Sequence, residues 1–130
     1  MLRRNLLLGV AGVAVLGVTG CATHPVSVQQ ATELPAAQLR TCIKRAAHRR
    51  GWRVVTDEPG KMRIKYVKGP HVLVADVTYD NEGYMIEAVK EGSTLFNKDG
   101  TAHRKVNSWT ANLTVTIREE ENKILLRQKN

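Results

Sequence analysis

Lys61-Met62-Arg63-Ile64-Lys65-Tyr66-Val67-Lys68-Gly69-Pro70-His71-Val72-Leu73-Val74-Ala75-Asp76-Val77-Thr78-Tyr79 is the segment from which the architecture can be read. In its first half Met62, Ile64 and Tyr66 alternate with Lys61, Arg63 and Lys65, a period of two that gives a β-strand one apolar and one basic face. Lys68-Gly69-Pro70 breaks the pattern, and the more continuously apolar run from His71 to Tyr79 suits a central strand. Upstream, Trp52 to Asp57 reads as another strand, and Asp57-Glu58-Pro59-Gly60 supplies proline and glycine for the centre of a type II turn. Downstream, Asp80-Asn81-Glu82-Gly83 turns into Tyr84 to Val89, where Tyr84, Ile86 and Ala88 share one face. Four strands joined in succession by short turns predict an antiparallel meander.

Helical spacing flanks the meander on both sides. After Pro35, placed as the first helical residue, Leu39, Cys42, Ile43, Ala46 and Ala47 recur at intervals of three and four up to a stop at Gly51. The outer face of this helix carries Arg40, Lys44, Arg45, His48 and Arg49 with no acid among them. That stripe is either a solvated face or an anion-binding one, to which Arg40, Lys44, Arg45 and Arg49 would contribute. Beyond Asp99-Gly100, the row Val106, Trp109, Leu113 and Ile117 predicts a second helix starting near Thr101. Leu113-Thr114-Val115-Thr116-Ile117 is β-branched and alternates, so a strand competes there; the longer i, i+4 row favours the helix. Glu119 to Asn130 is expected to fray, with Ile124, Leu125 and Leu126 as its docking residues.

The expected architecture is α+β, a four-stranded antiparallel sheet in the order α-β-β-β-β-α with both helices on one face. The other face would be partly open, with Arg53, Lys61, Arg63 and Lys65 on or beside it. Asp76 falls on this face with Val72, Val74 and Thr78, and a carboxylate in so apolar a strand calls for a partner such as an arginine.

The N-terminus has a different character. Arg3 and Arg4 precede an uncharged run, Leu6 to Gly17, which is too short for the ~20 residues of a membrane span but suits a secretory signal. The run closes on Val18-Thr19-Gly20-Cys21, and here the chain resembles the lipobox of bacterial lipoprotein signal peptides, with valine where leucine is commoner. The resemblance implies cleavage after Gly20, a diacylglycerol thioether on Cys21 and a further palmitate-type chain on the freed amine. Ala22, rather than aspartate, after the cysteine implies sorting to the outer membrane. Two or more chains, at ~0.8 kcal/mol per buried methylene, suffice for stable anchoring. Residues 1–20 are thus expected to be a signal peptide, 21–34 a lipidated start and flexible tether, and 35–130 one small domain.

The full chain of 130 residues has 20 Lys and Arg against 12 Asp and Glu. Removing Arg3 and Arg4 with the signal leaves 18 bases against 12 acids, so a net charge of about +6 survives processing and favours anionic neighbours. Of the two cysteines, lipidation consumes Cys21. Cys42, on the apolar side of the first helix, is left as a buried structural thiol, and no intramolecular disulfide is expected.

Catalytic patterns are missing from the sequence. His24, His48, His71 and His103 are widely separated and show no metal-ligand spacing. Ser93 and Ser108 lack a nucleophile-elbow setting, and the glycines occur singly rather than as a phosphate loop. No cofactor and no metal are expected. Nucleic acid is not expected either, because the element order departs from the βαββαβ of aromatic-sheet RNA modules and secretion removes the chain from it. The mature domain also resembles a group of small uncharacterised lipoproteins of Gram-negative bacteria. The likeness rests on Gly51-Trp52, Tyr79-Asp80 before Tyr84 and Ile86, and Trp109 with Leu113. It implies the same fold and no established activity. The expected function is non-enzymatic: a domain anchored to the membrane by its N-terminal lipid, facing the periplasm from the outer membrane, and serving interaction or assembly with an envelope protein. The rival expectation is binding of an anionic lipid, lipopolysaccharide or peptidoglycan through a basic face.

Overall fold

The computed structural model describes residues 27–129. Its elements are β1 (Ser27–Ala31), α1 (Ala36–Arg49), β2 (Arg53–Glu58), β3 (Lys61–Lys68), β4 (His71–Tyr79), β5 (Gly83–Val89) and α2 (Arg104–Lys129). All strand pairs are antiparallel, in the order β1-β5-β4-β3-β2. The described residues form an α+β fold, with five strands rather than the four expected.

The additional strand lies in the segment read as a tether. Ser27-Val28-Gln29-Gln30-Ala31 has little apolar signal because it is an edge strand on which Val28 alone is a hydrophobic residue packed against the core. Its place is prepared by Gly83: a Cβ there would stand 2.3 Å from the Gln30 carbonyl oxygen, so only glycine permits this close pairing. The link to α1 is tied down as well. The Thr32 N–H donates to the Glu82 carbonyl, its hydroxyl donates to Glu121, and Leu34 is 1% exposed. Any tether after Cys21 is therefore reduced to residues 22–26.

Helix α1 buries Leu39, Cys42, Ile43, Ala46 and Ala47, the row expected from its spacing. Pro35 is its N-cap rather than its first residue, with an extended ψ of 157° and a carbonyl that accepts from the Gln38 and Leu39 amides. The helix ends in a Schellman motif: Trp52 N–H donates to Ala47 O, Gly51 N–H donates to His48 O, and Gly51 takes a φ of 83°. Trp52 is thereby folded back into the core at 5% exposure, and β2 begins one residue later than expected.

Helix α2 settles the competition at 113–117 in favour of a helix. Thr110, Thr114 and Thr116 are buried, and each hydroxyl donates to the carbonyl four residues back, at 2.9 Å in all three cases, so the helix itself satisfies these β-branched polar residues. The helix starts at Arg104 rather than Thr101, because residues 95–102 close a small loop by the Phe96–Ala102 bridge. His103 then caps it, its Nδ1 accepting from the Lys105 amide. Nor does the end fray at Glu119. The helix continues to Lys129, with Ile124 and Leu125 half-buried and Leu126 62% exposed.

Both helices contribute to one core with the inward residues Met62, Ile64, Leu73, Ala75, Val77, Tyr84 and Ile86. They run antiparallel across the sheet, and hydrogen bonds tie α1 to β2 and the β1–α1 link to α2. On the opposite sheet face Arg63, Lys65, Asp76, Thr78 and Met85 are half-buried and Glu87 is exposed, while Val74 is buried beside Gly92.

Candidate functional site

The lipidation motif Val18, Thr19, Gly20 and Cys21 lies outside the described residues. The distance from it to the folded domain is nevertheless bounded. Ser27 is six residue steps beyond Cys21, which span at most ~20 Å when fully extended. Strand β1 runs antiparallel to β5, so the chain enters the sheet at the end where β5 leaves it.

The basic face of α1 is less free than the helix alone suggests, because acids reach it from other elements. Asp57, on the helix side of β2, accepts from Arg40 (Nε, 3.1 Å) and from Lys44 (3.1 Å). Arg49 donates to Glu120 at 2.8 Å and to Glu119 at 3.0 Å across the interhelical contact. Of the four candidate anion-binding residues, only Arg45 has no ion pair among the described residues. It lies instead on an open groove of about 360 Å³ between the start of α1 and the end of α2, with Thr41, Ile124, Arg127 and Gln128. No sequence spacing announces these pairings, since Asp57 and Glu120 lie on separate elements and meet α1 only through the sheet order and the helix crossing.

These contacts fix the acids' charges. Hydrogen bonds from Arg40 and Lys44 hold the Asp57 carboxyl below the ordinary carboxylate range. Burial opposes the charge of Glu120, whose side chain is 4% exposed, but hydrogen bonds from Lys123 and Arg49 outweigh it and lower its pKa. On the open sheet face Arg63 meets Asp76 through two bonds, at 2.8 and 3.0 Å, which likewise lower the Asp76 pKa. The partner expected for Asp76 is therefore Arg63, directly opposite it in the β3–β4 register. The row Ser27, Glu87, Asp76, Arg63, Thr56 across all five strands shows that this face mixes both signs of charge.

The remaining chemistry-bearing groups are occupied in packing. Cys42 is buried, and desolvation, with Glu121 and Glu120 nearby, pushes its thiol up to about 11, which keeps it protonated and inert. Trp52, Tyr66 and Trp109 form an aromatic group in which Trp52 lies tilted against Tyr66, centroids 5.4 Å apart, and Tyr66 meets Trp109 edge-to-face at 4.7 Å. His71 joins its edge, 6.5 Å from Trp109 and 6.3 Å from His103. Sequence spacing does not bring these two histidines together; the sheet and the α2 start do. Among the described residues no group of three or more His, Cys, Asp or Glu is arranged to hold a metal ion. The Tyr79 hydroxyl is buried without a hydrogen-bond partner among the described residues.

No described helix is long and apolar enough to cross a membrane. The chain matches no protein-family model, and no curated protein matches it.

Proposed function

We propose that this chain is a lipid-anchored envelope protein, held through Cys21 in the outer membrane and facing the periplasm, where its domain serves interaction or assembly rather than catalysis. The observation that carries the reading is the spacing. A lipobox-like Val18-Thr19-Gly20-Cys21 is followed within six residues by an ordered edge strand, so lipid on Cys21 would hold the start of β1 within ~20 Å of the bilayer surface. A short link of this kind raises the local concentration of the domain at the membrane, where weak contacts become effective. The acids that a catalytic reading would draw on, Asp57, Asp76 and Glu120, are held by basic partners in the fold.

The second reading, binding of an anionic envelope component, is supported by bases that lack acid partners. Among the described residues these include Arg45 on α1 and, away from the stripe, Lys68, Lys90, Lys98, Arg104 and Lys105 at the sheet end where β1 begins. Membrane fractionation of cells expressing the native chain or Cys21→Ser tests the leading reading. The native chain is expected in the outer-membrane fraction and the variant in the soluble periplasm. Equal distribution of both overturns the anchor.

A further inference from the structure

Bases without ion pairs among the described residues gather at one end of the sheet. At this end lie the β3–β4 turn, the β5–α2 loop and the start of α2. They carry Lys68, Lys90, Lys98, Arg104 and Lys105, against Glu91 and Asp99. Among the described residues none of these five bases is in an ion pair. Arg53 and Lys65, paired in the β2–β3 register, extend the patch onto the open sheet face. At the opposite end the β1–α1 link and the β2–β3 and β4–β5 turns bring Glu33, Glu58, Asp80 and Glu82, with Lys61 paired opposite Glu58 and Arg127 beside the start of α1.

We infer that the basic end is a docking surface for anionic phospholipid headgroups, and that it sets the orientation of the domain on its membrane. The inference rests on the proposed anchoring through Cys21. Three observations converge on it. The chain enters β1 at this same end, so a lipid on Cys21, at most ~20 Å from Ser27, draws the basic end rather than the acidic one toward the bilayer. The first turn of α2 holds Arg104 and Lys105 and no acid, an unfavourable charge at the positive end of a helix dipole that a nearby anionic surface relieves. The tip is also amphipathic: Val67 is 56% exposed beside Lys68, and the half-buried rings of Tyr66 and Trp109 lie behind it. Aromatic rings and basic side chains over an exposed aliphatic residue are the composition that suits a headgroup layer. The interhelical groove with Arg45 and Arg127, and the acidic turns, are then turned toward the periplasm.

The test uses the native acylated protein reconstituted in vesicles of phosphatidylcholine alone or of equimolar phosphatidylcholine and phosphatidylglycerol. A fluorophore on Lys98→Cys or on Glu82→Cys reports quenching by headgroup nitroxide lipids. With phosphatidylglycerol, the label at 98 is expected to be quenched several-fold more than that at 82, and the difference to collapse near 1 M salt, where the screening length is ~3 Å. Lys68→Glu combined with Lys90→Glu and Arg104→Glu, each at an exposed position, should remove the asymmetry while circular dichroism and acyl mass stay unchanged. Equal quenching at both sites in acylated protein overturns the docking surface and leaves the anchor standing. A mass without acyl groups on Cys21 overturns the anchor, and the docking inference with it.

Discussion

Gly83 shows how much of this fold depends on single positions. It was legible as a turn residue, but its more exacting role, leaving room for the Gln30 carbonyl, depends on a strand that the sequence does not advertise. Gly83→Ala is expected to cost about 2 kcal/mol and to raise amide exchange selectively in β1, measured by urea unfolding and hydrogen exchange. Tyr79→Phe removes a buried hydroxyl that has no hydrogen-bond partner among the described residues, so stability should stay level or rise by up to ~1 kcal/mol; a clear loss would reveal a partner for that hydroxyl. Asp76 was legible as an acid in need of a base, and the register supplies Arg63. Its carboxyl, like those of Asp57 and Glu120, is held below its unfolded value, so the stability it contributes is present above about pH 4 and is lost as pH falls through the lower folded value. Asp76→Asn is expected to lower stability at pH 7 and to flatten the acid limb of a stability-against-pH curve.

At the level of elements, legibility followed the strength of the periodic signal. The three inner strands and α1 emerged from their spacing because their apolar faces are continuous, as with Met62, Ile64 and Tyr66 or Leu39, Cys42 and Ile43. Strand β1 was missed because an edge strand with a single packed hydrophobic residue looks like a polar linker. The end of α2 was misjudged because its anchors are polar: Glu120 is held by Arg49 and Lys123, and Glu121 by Thr32. The helix at 113–117 has a direct test. A strand would place Leu113, Val115 and Ile117 on one face, whereas the helix buries Leu113 and Ile117 fully and leaves Val115 47% exposed. Leu113→Ala is therefore expected to cost about 3 kcal/mol and Val115→Ala well under 1 kcal/mol in urea unfolding; comparable costs would contradict the helix.

For the whole molecule, composition revealed the excess of basic residues but not its distribution. The stripe on α1 was visible because it lies on one element, yet Asp57, Glu119 and Glu120 fold onto it and leave its net field small. The basic end was invisible because it is assembled from two connections and a helix start that only the strand order brings together. That order also places the entry of the chain, and hence the proposed lipid, at the same end, which links address and architecture. The anchor is most directly tested by the intact mass and N-terminal peptide of the native protein extracted from membranes. The expected result is a chain beginning at Cys21 and carrying acyl groups on that residue. An unmodified chain, whether still beginning at Met1 or cut elsewhere, would contradict it.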